Sequence, residues 1–232
     1  MRYSANLNIM IKAVEEARVR TARDFHELEI LQTNQATAKK YANSCFLRVK
    51  KFLFDDLTKM RPEYNIISSD GDKVNNNDEA EYYFFIHPID GLTNLSRSIS
   101  EFSIAISLIY KGEHQDESVA CVIHKVIGGE LFYTENGFDC FLNNRKIKCS
   151  NSSKENKLIG SFDSQKDEFK GKKLINRNFG CKTLEIAYLA SGKIDYLEIE
   201  KKKSDIFNPF FLLAKQAGAS ISEEDNKIIL HN

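Results

Sequence analysis

The first sixty residues carry apolar side chains at the spacing of two amphipathic helices. Apolar positions recur at near-helical intervals over residues 8–23, and over residues 41–57 they fall clearly on one face. Pro62 cannot continue a helix, so it marks the end of the second one. A short strand is predicted at residues 64–67, and a polar loop rich in acidic residues is predicted at residues 70–81.

The middle of the chain has the pattern of a β-sheet. The continuous apolar run at residues 82–86 predicts a buried strand, and further strands are predicted at residues 102–110 and 119–126. Asn136-Gly137 lies between two more strand-like segments and is a strong hairpin signal.

In the last third of the chain, strands and helices alternate. Strands are predicted at residues 158–162 and 194–199, and helices at residues 183–190 and 205–216, with Asp205 as the N-cap of the last helix. This alternation predicts a layered α/β arrangement. The polar residues from 151 to 158 indicate a domain boundary, so we expect an N-terminal α+β part over residues 1–150 and a C-terminal α/β part over residues 151–232.

Composition and charge exclude several classes of protein. The chain has 232 residues with 42% hydrophobic and 28% charged residues, which is ordinary for a globular protein. Its formal net charge is zero, so nothing global favours general binding to nucleic acid or to an anionic membrane. No apolar stretch approaches the roughly 18 residues needed to cross a bilayer, and residues 1–10 do not resemble a signal peptide.

Cysteine usage predicts a reduced, cytoplasmic protein. There are five cysteines, an odd number, and they are scattered without a CxxC pair. Several lie in apolar runs, where cysteine behaves as a small core residue.

The most informative motif is His-Pro-Ile-Asp-Gly-Leu-Thr-Asn at residues 87–94, directly after the apolar run at residues 82–86. A strand that ends in a carboxylate and a glycine turn places a metal-binding oxygen beside the backbone N–H groups at the start of a helix. This combination suits a phosphate held against a metal ion.

The motif resembles the Asp-Pro-Ile-Asp-Gly-Thr-Thr-Asn signature of the inositol monophosphatase family, and the bacterial extragenic-suppressor (SuhB-type) branch in particular. Further segments in the family's order extend the resemblance over almost the whole chain. They are residues 102–107, 129–132, 141–147, 180–192, and 204–205 followed by 214–218.

The resemblance implies a sandwich of alternating helix and sheet layers, of mixed α+β and α/β character. It also implies hydrolysis of a small phosphorylated polyol or sugar, Mg²⁺ as the cofactor, and a homodimer. In such a site Mg²⁺ ions polarise the phosphate and lower the pKa of the attacking water.

Site residues are carried over by position. The resemblance implies that Asp90, Asp205 and the backbone carbonyl of Ile89 bind metal, and that Thr93 orients the attacking water. It implies contacts to the substrate from residues in three segments, namely Gly91, Leu92, Glu198, Gly180 and Cys181. Lys182 stands where the family has a small residue near the substrate pocket. Replacement of cationic charge lost from the site is one interpretation of it, and a solvated lysine is the one we expect.

Several family residues are replaced. The first aspartate of the signature is His87, and the family's paired glutamates appear as Ser69 and Asp70, which puts Ser69 at the position of the metal-binding glutamate. The segment that supplies the water-activating carboxylate best matches residues 33–36, where Ala36 replaces that carboxylate, although the following helix is longer than in the family. The family's final helix is absent after Leu230.

Three hypotheses follow. The first is a family member with weak or lost phosphatase activity, retained for binding a ligand or a partner. The second is an active divalent-metal-dependent phosphatase with a site of His87, Asp90 and Asp205, with Asp70 as a further ligand; imidazole would then favour Mn²⁺ or Zn²⁺. The third is a regulatory protein that acts by binding a protein partner.

Overall fold

Two long helices lead into the first sheet. In the computed structural model, which describes residues 4–151, 156–164 and 166–232, α1 is Ala5–Ile30 and α2 is Gln35–Met60. Both are longer than predicted. Apolar periodicity weakens toward their ends, but side-chain caps extend them: Ser4 accepts a hydrogen bond from the N–H of Leu7, and Asn34 accepts one from the N–H of Thr37.

The first sheet has eight strands and includes the motif. Its elements, in chain order, are β1 Asn65–Ser68, β2 Lys73–Val74, β3 Tyr82–Asp90, α3 Leu92–Ser96, β4 Ser103–Tyr110, β5 Glu117–Lys125, β6 Leu131–Glu135, β7 Cys140–Leu142 and β8 Arg145–Ile147. The spatial order is β2-β1-β3-β4-β5-β6-β7-β8, and only β1 and β3 are parallel. The predicted hairpin at Asn136-Gly137 joins β6 to β7. The loop predicted at residues 70–81 contains the short strand β2.

The second sheet has six strands in the order β10-β11-β9-β12-β14-β13. Its elements are β9 Lys157–Ser161, β10 Glu168–Phe169, β11 Lys172–Asn176, α4 Lys182–Ala190, β12 Tyr196–Glu200, α5 Phe211–Gln216, β13 Ser220–Glu224 and β14 Lys227–His231. Strand β9 pairs in parallel with β11 and β12, and the other pairs are antiparallel.

The prediction of a continuous helix at residues 205–216 is wrong for residues 205–210. Two 3₁₀ helices, Lys201–Ile206 and Asn208–Phe210, precede α5, and Asp205 lies inside the first of them and is not an N-cap. Pro209 cannot donate the backbone hydrogen bond that a continuous α-helix would require at its position.

Helix and sheet layers alternate, as predicted. One core lies between the first sheet and helices α1 and α2, and includes Phe84 and Ile86. Phe85 points to the opposite face, into a second core that α4 and α5 share with both sheets. A small third core covers the outer face of the second sheet around Tyr196.

The first sheet ends at Ile147 and the second begins at Lys157. The predicted division at residue 150 falls in this connection, and residues 152–155 of the predicted boundary lie outside the described residues. That the two parts are separate domains stays a prediction. Among the helices described, none has the length and apolarity to cross a bilayer.

Candidate functional site

An irregularity at the end of β3 places His87 and Asp90 on one face of the first sheet. His87 pairs with Ala105 of β4 and Asp90 with Ser103, so β3 has one more residue than β4 between these pairs. Side chains alternate along a regular strand, so residues three apart would point to opposite faces. The extra residue cancels the alternation, and Nε2 of His87 lies 4.0 Å from Oδ1 of Asp90.

The buried carboxylate of Asp90 holds the start of α4 against β3. Oδ2 accepts hydrogen bonds from the Thr183 N–H at 2.7 Å and the Thr183 hydroxyl at 2.9 Å, and the Sγ of Cys181 lies 3.4 Å from it. Oδ1 accepts from the Gly91 N–H at 2.9 Å. The N–H groups of a helix N-terminus and the helix dipole favour a carboxylate there. Asp90 therefore caps α4, and its Oδ2 is fully occupied.

His87 is a buried imidazole whose two ring nitrogens have no hydrogen-bond partner among the described residues. The ring stacks on Phe207, with centroids 5.8 Å apart and an interplanar angle of 19°. Burial lowers the pKa of His87, and the carboxylates of Asp90 and Asp70 offset this only in part. The side chain is therefore neutral at pH 7, where the family's aspartate would carry a negative charge.

Asp70 forms an ion pair with a lysine of α2. The Nζ of Lys50 lies 2.5 Å from a carboxylate oxygen of Asp70 and 2.5 Å from one of Asp72. Burial lowers the pKa of Lys50, but the hydrogen bonds to the two aspartates outweigh burial and leave that pKa raised. Burial raises the pKa of Asp70, yet the hydrogen bond from Lys50 leaves it lowered. Lys50 and Asp70 are thus both charged at pH 7.

The turn after β3 has the backbone that the motif predicts. Gly91 has φ +81°, and a Cβ on it would lie 2.8 Å from the carbonyl oxygen of Glu101, so the turn requires glycine. Leu92 and Thr93 form the first turn of α3, where backbone N–H groups have no partner within the helix. The hydrocarbon side chain of Ile89 is buried under α1 and α2. Only the backbone carbonyl of this residue could therefore bind a metal.

Asn94, the last residue of the motif, joins the turn to the segment that precedes α4. Its Nδ2 donates to the carbonyl oxygens of Glu101 at 2.6 Å and Phe179 at 2.8 Å. Gly180 has φ +70°, and a Cβ on it would lie 3.2 Å from the Asn94 amide. Gly180 and Cys181 therefore lie beside the motif. The Cys181 thiol is buried against Asp90, and substrate contact by these two residues stays a prediction.

Lys182 is paired, and the expectation of a solvated lysine is wrong. Its Nζ lies 2.8 Å from Oε2 of Glu185, whose side chain is fully buried. The other carboxylate oxygen of Glu185 accepts from the N–H groups of Phe179 at 2.8 Å and Gly180 at 3.2 Å. The ion pair and these hydrogen bonds hold the backbone beside the motif, and the charge of Lys182 is paired with the carboxylate of Glu185.

Two predicted site residues, Asp205 and Glu198, are not part of the group formed by His87 and Asp90 in the described part of the chain. Asp205 is exposed in its 3₁₀ helix. The carboxylate of Glu198 accepts hydrogen bonds from Tyr196, Ser164 and Lys227 at 2.6, 3.1 and 2.9 Å. No hydrogen bond or ion pair between described residues connects Asp205 or Glu198 to His87 or Asp90.

The donor set does not fit Mg²⁺, which prefers several carboxylate oxygens in octahedral geometry. Oδ2 of Asp90 is occupied by donors, Asp70 is neutralised by Lys50, and His87 is a neutral nitrogen donor. Within the described ranges, no three His, Cys, Asp or Glu side chains are grouped so that they could hold a metal ion. The structure thus does not assemble the predicted site of His87, Asp90 and Asp205.

Sequence reasoning missed two residues of this region, Lys50 and Thr183. Lys50 had a signal, because it lies three residues before Leu53 and seven before Leu57, beside the apolar face of its helix, where a lysine is unusual. Thr183 had none, because its contact with Asp90 depends on how α4 packs against β3.

Comparison with known proteins agrees with the resemblance. The sequence model of the inositol monophosphatase family matches residues 3–223. An inositol-1-monophosphatase of Rhizobium meliloti is 28% identical over 97% of this chain and 88% of its own length. The Nus factor SuhB of Escherichia coli is 24% identical over 94% and 84%. The crystal structure of the extragenic suppressor protein suhB of Bartonella henselae has a TM-score of 0.81 and 23% identity, and covers 100% of this chain and 94% of its own.

Proposed function

The chain belongs to the inositol monophosphatase family, and from this premise we propose that it is a member with weak or lost metal-dependent phosphatase activity that binds a phosphorylated ligand. The family as a whole is generally Mg²⁺-dependent. One observation carries the proposal: the carboxylates left near the motif are engaged by protein groups, Asp90 by α4 and Asp70 by Lys50.

The replaced family residues affect both metal binding and the activation of the attacking water. With Ser69 and His87 at two metal-binding positions, a metal would lose two carboxylate ligands. With Ala36 in place of the water-activating carboxylate, the attacking water would have no positioned base. Loss of such a base alone typically costs about 10²–10⁴-fold in rate, and loss of the metal that activates the water adds to this.

The ligand expected from the family is a small phosphorylated polyol or sugar. Support comes from the preserved turn at residues 91–93, whose glycine and helix start resemble the phosphate-facing turn of the family. Binding of such a ligand would depend on the backbone N–H groups of Leu92 and Thr93, because the N–H of Gly91 donates to Asp90, and these groups do not require the lost carboxylates.

The test is a phosphate-release screen of inositol and sugar monophosphates with Mg²⁺, Mn²⁺ and Zn²⁺. We expect the natural protein to release phosphate at or near background with every metal. The triple reversion Ala36→Asp, Ser69→Glu and His87→Asp should raise the Mg²⁺-dependent rate above that level. Turnover of the natural protein at an ordinary enzymatic rate, on the order of 1 s⁻¹ or more, would contradict the proposal.

A second candidate function is regulation through a protein partner. Several relatives carry the name Nus factor SuhB, and this name motivates the candidate. Affinity capture of the tagged full chain from its own cells tests this candidate. The expected homodimer is a separate question, which size-exclusion chromatography with light scattering tests. Absence of any partner that depends on the folded chain would count against this candidate.

A further inference from the structure

Lys50 is an unusual cation, because it is buried and lies between two carboxylates. Its side chain is 9% exposed, while those of Asp70 and Asp72 are 34% and 62% exposed. Lys50 is a residue of α2, and its ammonium lies 5.5 Å from the ring centroid of Phe46, one turn earlier in the same helix. The ion pair thus holds the loop between β1 and β2 against α2.

This loop begins next to His87. The N–H of Ser69 donates to the carbonyl oxygen of Ile86 at 2.9 Å, and Ser68 is the parallel partner of Ile86 in β3. Asp70 is close enough for its charge to act on the imidazole of His87. Ser69 and His87 are the two positions where this chain lacks a metal-binding carboxylate that the family has. Lys50 therefore places its positive charge on the acidic residue that follows Ser69 in the loop and whose charge acts on His87.

We propose that the ammonium of Lys50 is the resident cation of this site: it offsets one of the two negative charges of Asp70 and Asp72 and excludes a divalent metal ion. The proposal rests on the proposed function, namely the loss of metal-dependent activity, and adds a further cause for it.

The exclusion has two physical causes. An ammonium in contact with Oδ2 of Asp70 occupies a carboxylate oxygen that a metal would need. Its charge also repels a divalent cation at neighbouring positions, and in a partly buried site this repulsion is screened only weakly. Restoring the lost carboxylates without removing the Lys50 charge should therefore recover metal binding only in part.

The experiment measures Mn²⁺ affinity by titration calorimetry in the background Ser69→Glu/His87→Asp. Three forms are compared: Lys50 retained, Lys50→Met, which keeps length and apolar stem but removes the charge, and Lys50→Arg as the charge-conserving control. We expect Lys50→Met to bind Mn²⁺ at least tenfold more tightly than the form with Lys50, and Lys50→Arg to stay within about threefold of it. Affinities of the three forms within twofold of one another, or no Mn²⁺ binding in any form, would overturn the proposal.

Folding of each form is checked by circular dichroism and thermal unfolding, with Lys50→Gln as a second neutral variant. The single Lys50→Met variant of the natural chain is a further arm. It should be stabilised by millimolar Mn²⁺ in thermal unfolding, and the natural chain should not; equal responses would also overturn the proposal. Metal affinity is independent of turnover, so a failure here is distinct from phosphate release by the natural protein, which would overturn the proposed function.

Discussion

At the scale of single residues, the site differs from a family metal site in what its charged groups contact. Asp90 keeps its carboxylate because α4 needs a cap, whereas His87 places a neutral ring where the family has a second carboxylate. The buried ring of His87 is accommodated by stacking on Phe207. A carboxylate preserved in a family motif can thus have a structural role in this chain.

This role predicts the outcome of Asp90→Asn. An amide has one acceptor oxygen, and its NH₂ group would face the donors that now bind the carboxylate, so we expect a loss of about 1–3 kcal/mol in the free energy of unfolding. Urea unfolding measures it. The control is Asp55→Asn, at a largely exposed residue paired with Lys51, which should change stability by about 0.5 kcal/mol or less. Equal or higher stability of Asp90→Asn would identify Asp90 as a residue retained for ligand binding.

At the scale of elements, the geometry of the motif depends on a strand irregularity followed by a tight turn. The extra residue in β3 turns His87 and Asp90 to one face, and Gly91 then starts α3 in a left-handed conformation. Beside this turn, Asn94 connects α3 to the segment before α4. These local features build the turn from contacts between protein groups.

Two alanine substitutions separate the two reasons why position 91 requires glycine, which are its positive φ and the lack of space for a Cβ. Gly91→Ala combines positive φ with a Cβ 2.8 Å from a backbone oxygen, whereas Gly71→Ala has positive φ with nothing within 4 Å. We expect about 1 kcal/mol of destabilisation for Gly71→Ala from backbone strain, and about 2–4 kcal/mol for Gly91→Ala because a backbone clash is added. Chemical unfolding of both variants measures this. Equal losses would mean that the backbone around Glu101 moves away without cost.

At the scale of the whole molecule, stability depends on layers that exclude water from several titratable groups. His124 is buried in the first sheet, and burial lowers its pKa from 6.5 to about 4. Below pH 6.5 the unfolded chain therefore binds a proton that the folded chain does not bind until near pH 4. The contribution of His124 is complete above pH 6.5 and falls as the pH falls toward 4. Burial lowers the pKa of His87 as well, and its effect has the same sign.

The consequence is a measurable acid sensitivity. Between pH 7 and pH 5 we expect His124→Gln to lose less free energy of unfolding than the natural chain does, by about 1–2 kcal/mol. Urea unfolding at both values measures this. His26→Gln is the control, because the His26 side chain is 72% exposed, and its pH dependence should match that of the natural chain. An unchanged pH dependence in His124→Gln would mean that the site is hydrated in solution.

Much of the fold and the location of the site were predictable from the sequence. Apolar periodicity predicted α1 and α2, Asn136-Gly137 predicted the hairpin, and alternation predicted the layers. These features could be predicted because they depend on contacts between residues close in the chain. The same holds for the turn at Gly91, whose residue type follows from its local backbone.

Only the tertiary structure decided which side chains meet at the motif. The pairing of Asp90 with Thr183 spans 93 residues, and it depends on how α4 docks on β3. The pairing of Lys50 with Asp70 depends on how α2 packs against the edge of the first sheet. Asp205, predicted as a metal ligand, is exposed in a 3₁₀ helix where an α-helix was expected. The sequence by itself thus determined the family, through motifs that resemble it, and it determined the layers and the turn, because these follow from periodicity and local backbone. The tertiary structure decided that protein groups bind the remaining carboxylates, because contacts across layers depend on packing that no local pattern encodes.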